Sequence, residues 1–444
     1  MAGNDPRPPP LPPPTSPSPV TVRPRRWIAI AAVCAVLGLI TAACSGSSNS
    51  SGAGGSASKP ASGVQLSFSP ANGSKNAAPS HGITVTAAQG KLGDVTVTTA
   101  GEPVTGTLNA AHTAWHSTWA LGVSQTYKVT AKATGTTGQA VTQTSTFQTL
   151  TPAQTFNTQI FEGSGGTYGV GMPIILYFNR TITNKAAVER ALQVTTSTPV
   201  TGAWYWDEPC NMAAACLYFR PQSYWPANTK VTFTGHLNGI EGAPGVYGAH
   251  TLTQSFNIGD SLIVVASTAT HFMNVYRNGS LFAHWPISTG RPGDNTPNGT
   301  YLTIDKGNPV LMKGPGYRIK VPWSVRFTWS GDYLHDAFWS VGQQGFQNVS
   351  HGCVNMAPAN AETYYKMEVP GDPVTVTGSP KAGVWDNGWT PWFLPWEKFV
   401  KGSALGQAVQ AGPAGSTFVD PASLPAPSAT APLGAPDPDN WLAG

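Results

Sequence analysis

Ser350-His351-Gly352-Cys353-Val354-Asn355, with His335 upstream in Gly331-Asp332-Tyr333-Leu334-His335-Asp336, gathers groups that can do chemistry together. Cys353 is the only cysteine in the C-terminal half of the chain. A thiolate is the nucleophile, and a free thiol is mostly protonated at neutral pH, so a working cysteine needs a base or a cation beside it. His335 and His351 can take a proton, Gly352 lets backbone approach a substrate, and Asn355 can orient a ring or a carbonyl. The spacing of His335 and Cys353 fits two neighbouring strands joined by a loop, which would set an imidazole beside a thiol. The backbone N–H groups of Gly352 and Cys353 would then lie beside the attacked carbonyl and stabilise its developing charge. A zinc site is the competing pattern. It lacks a second nearby cysteine, and its only neighbouring acids are Asp332 and Asp336, so no metal is expected. A structural cysteine in an inert β domain also fits the residue types alone.

The elements that must position this site are β-rich. Charged residues make up 10% of 444, while Gly (49) and Pro (40) are abundant and Thr, Ser and Val recur in short alternating runs. That length implies about two to four domains. A net charge of +4 with no basic stripe beyond the N-terminal segment gives no case for nucleic-acid binding.

Arg23, Arg25 and Arg26 precede an apolar run from Trp27 to Ala43, the order of an export signal. The run ends in Ile40-Thr41-Ala42-Ala43-Cys44, which resembles a bacterial lipobox and makes Cys44 the lipidation candidate; an uncleaved signal anchor and free secretion are the alternatives. All three place the protein outside the cytoplasmic membrane, and either anchor holds it in the cell envelope at that membrane's outer face. Residues 1–44 are thus a signal or anchor, and the Ser/Gly/Ala-rich 45–62 a flexible tether.

Residues 63–150 and 151–258 carry alternating strands between Gly, Asn and Pro turns, the pattern of two immunoglobulin-like β-sandwiches. Cys210 and Cys216 stand close in an exported domain, where a short-loop disulfide is expected. A third domain spans 259–379, with a hairpin at Asn278-Gly279, a loop-rich insert at 305–325 and a helix from Pro358 to Met367. Residues 380–405, with Trp385, Trp389, Trp392 and Trp396, are expected as an appendage packed on that third domain, and 406–444 as a disordered tail.

His335, the Ser350–Asn355 motif, Ser288-Thr289-Gly290 and Thr296-Pro297-Asn298-Gly299-Thr300-Tyr301 together resemble the L,D-transpeptidase catalytic domain, the YkuD-type fold. The resemblance covers roughly 260–400. The layout of lipobox, two immunoglobulin-like domains, catalytic domain and Trp-bearing end is similar to actinobacterial members. It implies a mainly β protein whose third domain is a YkuD-type β-sandwich that cross-links peptidoglycan stem peptides without a cofactor. Cys353 would attack the carbonyl of the third, diaminopimelate-type residue of a tetrapeptide stem and expel D-alanine. A neighbouring stem's amine would resolve the thioester into a 3→3 cross-link.

By the resemblance His335 is the base, His351 and Asn355 support and orient the site, Tyr317 is a lid residue over the substrate, and Ser330, Gly331 and Asn355 are substrate contacts. Trp339 and Met312 match pocket walls less closely, and carbapenem-type inhibitors would acylate Cys353. Two departures stand out: Asp336 follows His335 where the compared relatives have Ser, and the 305–325 insert is shorter. An L,D-carboxypeptidase, a transferase to another acceptor, and a wall-binding scaffold with an inert site are the alternatives.

Overall fold

The computed structural model describes residues 63–424 apart from 209, 211 and 315. The signal, Cys44, the tether and residues 425–444 lie outside the described residues.

In the first unit two sheets face each other. Gln65–Ser69, Thr84–Ala88, Ala114–Ser117 and Gly106–Leu108 form one, and Gly90–Thr99, Thr126–Gly135 and Ala140–Gln148 the other. Alternation does the work, because successive strand side chains point to opposite faces. Tyr127, Val129, Ala131 and Ala133 turn inward while Thr126, Lys128 and Lys132 face solvent. Val85, Trp115 and Phe147 complete the core, each burial contributing roughly 1.5–3 kcal/mol.

The second unit is built on a ten-stranded sheet whose centre holds Leu192–Thr196, Val200–Asp207, Ala215–Pro221 and Ile174–Phe178. Ile174–Phe178 is buried throughout, as an uninterrupted apolar run requires. Cys210 and Cys216 are joined as a disulfide.

The expected disordered tail is corrected here for residues 406–424. Ala408–Gly412 inserts between Leu192–Thr196 and Val200–Asp207, pairing antiparallel from Val200↔Ala411 to Ala203↔Ala408, and Gly415–Val419 pairs onto it. Ala and Gly carry little strand propensity, so this strand is held by non-local pairing. The appendage is corrected too, because it packs on both neighbours. Phe393 meets Tyr301 of the third domain, while Trp392 Nε1 donates to Gly171 O (2.8 Å) and Phe399 stacks on Tyr205 of the second.

The third unit has a five-stranded sheet in the order Ser280–Pro286, Phe272–Arg277, Leu262–Ser267, Pro373–Thr377, Gly299–Leu302. The Asn278-Gly279 turn has both residues at positive φ (48° and 81°), the conformation a two-residue hairpin demands. A four-stranded sheet runs Asp305–Gly307, Ser324–Arg326, Tyr333–Asp336, Val354–Met356. Val264, Val275, Phe327, Leu334, Val354 and Tyr364 fill the space between. The helix Pro358–Met367 starts with proline in its first turn, where the missing N–H costs no bond. Within 305–325, the expected loop is a hairpin of Val310–Gly314 and Tyr317–Val321.

Candidate active site

Tyr333–Asp336 and Val354–Met356 pair in parallel, with His335 opposite Asn355, so the strand that carries His335 neighbours the strand that Cys353 leads into. Because the pairing is parallel, the chain between them must cross over. That crossover holds the turn Phe338–Ser340, the helical-type turns after it, and the motif itself. Ser288-Thr289-Gly290 brackets the motif: Ser288 and Asn355 exchange backbone hydrogen bonds (3.1 and 2.8 Å), and Ser350 N–H donates to Thr289 O (3.0 Å).

Cys353 is free and partly exposed. Its thiol donates to Gly331 O at 3.8 Å, and the Tyr333 backbone N–H points at the sulfur. Burial, and next the Asp332 carboxylate, push the thiol up to about 12. His335 is buried, and Nδ1 donates to Asp336 O at 2.8 Å, which leaves Nε2 as the lone-pair nitrogen of a neutral ring. Burial lowers its proton affinity to about 4, against a small opposing effect of that backbone bond. The resting pair is therefore thiol and imidazole, not thiolate and imidazolium.

Gly352 has φ +125°, and a Cβ there would lie 2.5 Å from Asp332 Oδ1, so only glycine fits. Its N–H donates to Ser350 Oγ (3.2 Å) and its carbonyl accepts from the buried Thr296 hydroxyl (2.7 Å). The expectation of a Gly352 N–H free for an oxyanion is thereby corrected: in this state Ser350 occupies it. Ser350 Oγ in turn donates to Cys353 O at 2.6 Å.

Tyr317 sits on the Val310–Val321 hairpin with its ring 5.0 Å from the exposed His351 ring, close enough to the site for Cys353 to act on its hydroxyl. Ser330 and Gly331 lie on the turn before Tyr333–Asp336, facing the thiol through Gly331. Ser330 N–H donates to Asn387 Oδ1 (2.8 Å), and Gly331 supplies the carbonyl facing the sulfur. Trp339 is half exposed with its ring 6.0 Å from His335; Met312 lies on the hairpin strand opposite Ile319. Asn355 departs from its expected place as a substrate contact. It is 2% exposed and donates from Nδ2 to Ser340 Oγ (2.9 Å), which makes it a positioning residue for the Phe338–Ser340 turn. The Asp336 carboxylate does not act on the His335 ring; only its backbone carbonyl does.

Sequence reasoning missed Thr296, Ser350 and Asn348 as the polar scaffold. Asn348 Oδ1 accepts from Thr289 N–H (3.0 Å) and Thr289 Oγ1 (2.8 Å), and its Nδ2 donates to Thr268 O (2.8 Å). A Ser/Thr/Asn beside a Gly-rich catalytic loop was the available signal.

A family model described as the L,D-transpeptidase catalytic domain matches residues 261–376, and one described as a bacterial Ig domain matches residues 74–241. L,D-transpeptidase 5 of Mycobacterium tuberculosis is 35% identical over 354 residues, 77% of each chain. L,D-transpeptidase 2 of the same species is 34% identical over 336 residues, 72% of this chain and 80% of that one. Among solved structures, an LD transpeptidase in complex with imipenem is 34% identical with a TM-score of 0.42, covering 49% of this chain and 97% of that chain. The chain belongs to the L,D-transpeptidase family, with an Ig-like region ahead of a YkuD catalytic domain.

Proposed function

We propose that this protein forms 3→3 cross-links between peptidoglycan stem peptides through a thioacyl intermediate on Cys353, releasing D-alanine. The observation that carries it is the strand pairing that sets His335 opposite Asn355, two residues along the chain from Cys353: a partly exposed thiol and a buried, neutral imidazole whose other nitrogen is fixed by Asp336 O. Such a pair works by general base catalysis, with the proton leaving sulfur as the C–S bond forms. Nε2 of His335 takes the thiol proton while Sγ attacks the carbonyl. His335 then hands that proton to the departing amine of D-alanine, and the thioester remains. The Tyr333 N–H aimed at sulfur favours the developing thiolate.

Carbapenem-type inhibitors enter the same reading as acyl donors to Cys353. The protein's place is the cell envelope, held by Cys44 or by the Trp27–Ala43 run at the outer face of the cytoplasmic membrane. Intact-protein mass spectrometry of the chain from residue 60, incubated with a tetrapeptide stem and separately with a carbapenem, tests this. Adducts on Cys353, D-alanine release and a cross-linked dimer are expected. A trimmed tripeptide without dimer would make it a carboxypeptidase, and a folded protein without adducts would make it a scaffold.

A further inference from the structure

Asp332 is an acidic side chain of the site that the mechanism above leaves unused. It lies between Gly331, whose carbonyl faces the sulfur, and Tyr333, whose N–H points at it. Oδ2 is tied down, accepting from Thr328 Oγ1 (2.8 Å) and Ser330 Oγ (3.2 Å), and Ser330 is braced by Asn387 Nδ2 (2.9 Å). Oδ1 accepts no hydrogen bond among the described residues and faces the motif loop, over the α-carbon of Gly352. The missing Cβ of Gly352 is what makes room for it.

A carboxylate there opposes thiolate formation, so it hinders the first half of the reaction. It suits the second half, in which an amine must enter as a cation and attack as a free base. We propose that Asp332 is the catalytic residue that receives the acceptor ammonium and takes its first proton, making the site selective for cationic amine acceptors. This rests on the amine transfer proposed above. The ammonium R–NH3+ gives one proton to Oδ1, leaving R–NH2 and a carboxylic acid. The nitrogen lone pair then forms the C–N bond to the thioester carbonyl. The second N–H proton passes to His335 and on to sulfur as the C–S bond breaks, giving amide and thiol, and Asp332 returns its proton to solvent. Burial raises the proton affinity of Asp332, its Thr328 and Ser330 bonds and the Lys381 and Arg326 charges oppose this, and the net direction is upward, as a base for an ammonium needs.

The test separates the half-reactions. The Cys353 acyl-enzyme of wild type and of Asp332→Asn is formed with a tetrapeptide stem, then partitioned between a stem-peptide amine and methanol, an acceptor with no proton to shed before attack. Asn keeps the oxygen that Thr328 and Ser330 bond to and removes the charge. Acylation of the variant should be no slower than wild type, while its ratio of aminolysis to methanolysis falls about 10²-fold at pH 7. That ratio should recover as pH rises and the amine loses its proton unaided. Lys381, Arg326, Tyr301 and Tyr317 face the carboxylate, so the pH series is repeated in Tyr317→Phe to exclude titration of the lid. An unchanged ratio, or equal losses in acylation, aminolysis and methanolysis, would overturn the proposal and leave Asp332 as a staple of its turn. Failure of the wild type to acylate would remove the transfer reaction itself, a visibly different result.

Discussion

The loop around Cys353 and the segment from Trp385 to Val419 both bury polar groups and, Trp389 Nε1 apart, pair them, but they draw partners from different distances. In the motif loop, Ser350 bonds Gly352 and Cys353 within its own turn, and Thr296 and Thr289 reach in from the loop that opens the same domain. In the C-terminal segment, Ser403 Oγ and the N–H groups of Ala404 and Leu405 all donate to Glu189, more than two hundred residues earlier, which also accepts from Trp206 Nε1 (2.6 Å). The first arrangement holds the loop around Cys353 through hydrogen bonds made within its own domain. The second fastens two units together. Damage to one should therefore be read in rates and damage to the other in stability.

The largest effect is expected at the nucleophile. Cys353→Ala should abolish acyl-enzyme formation in the mass-spectrometric assay with unchanged melting, and a residual adduct would remove the nucleophile assignment. His335→Gln keeps most of the buried volume and should slow acylation by about 10²–10⁴-fold. Its sign with pH is set by burial. Because His335 is held down to about 4, it stays an unprotonated base well below the usual histidine range. The acid limb of the wild-type acylation profile should thus fall near pH 4 rather than near 6.5. A limb near 6.5 would mean the ring is more solvated than the fold shows.

The same contrast explains what could be read from the chain. The motif, the strand carrying His335, the Asn278-Gly279 hairpin and the helix at Pro358 all declare themselves within a few residues, through period, turn chemistry or a cap. The hairpin Val310–Val321 did not, because Lys313, Arg318 and Lys320 alternate with residues that stay largely exposed, so no buried face marks the strands. Ala408–Gly412 did not because its partners are two hundred residues away. Asn355 was legible as a polar residue in the motif, but its direction depends on Ser340, whose hydroxyl only the crossover turn brings near.

Breaking the long-range fastening should cost stability and spare chemistry. Glu189→Ala leaves the Trp206 indole, the Ser403 hydroxyl and the Ala404 N–H without their acceptor, while the Leu405 N–H keeps Ser403 Oγ (3.1 Å). Orphaned buried donors cost about 1–3 kcal/mol each before relaxation, so a loss of about 3 kcal/mol or more is expected in denaturant unfolding. Deleting residues 406–424 should do at least as much damage, since it exposes the facing edges of Leu192–Thr196 and Val200–Asp207. In both variants the acylation rate of the still-folded fraction should match wild type. A matching loss of rate would show that the C-terminal segment positions the site, through the Asn387–Ser330 contact, more strongly than the separation argued above allows.

A smaller effect is expected at Glu162, which is as buried as Glu189 but poorly partnered. Only the Ile175 N–H reaches its Oε2, at 3.4 Å, and Oε1 has no partner. Burial raises this carboxyl to about 8 from a usual value near 4.5. Between those values the folded protein holds a proton that the unfolded chain has released. Stability from this group is therefore complete below about pH 4.5 and is lost as pH rises through 8. Glu162→Gln removes the titration while keeping the shape, so its advantage should be absent near pH 4 and grow to a Tm gain on the order of 5 °C at pH 8. The buried Tyr177 hydroxyl, raised by burial and next by the Glu162 charge, would relax in the same direction. A gain independent of pH would mean that packing, not the proton, distinguishes the two buried acids.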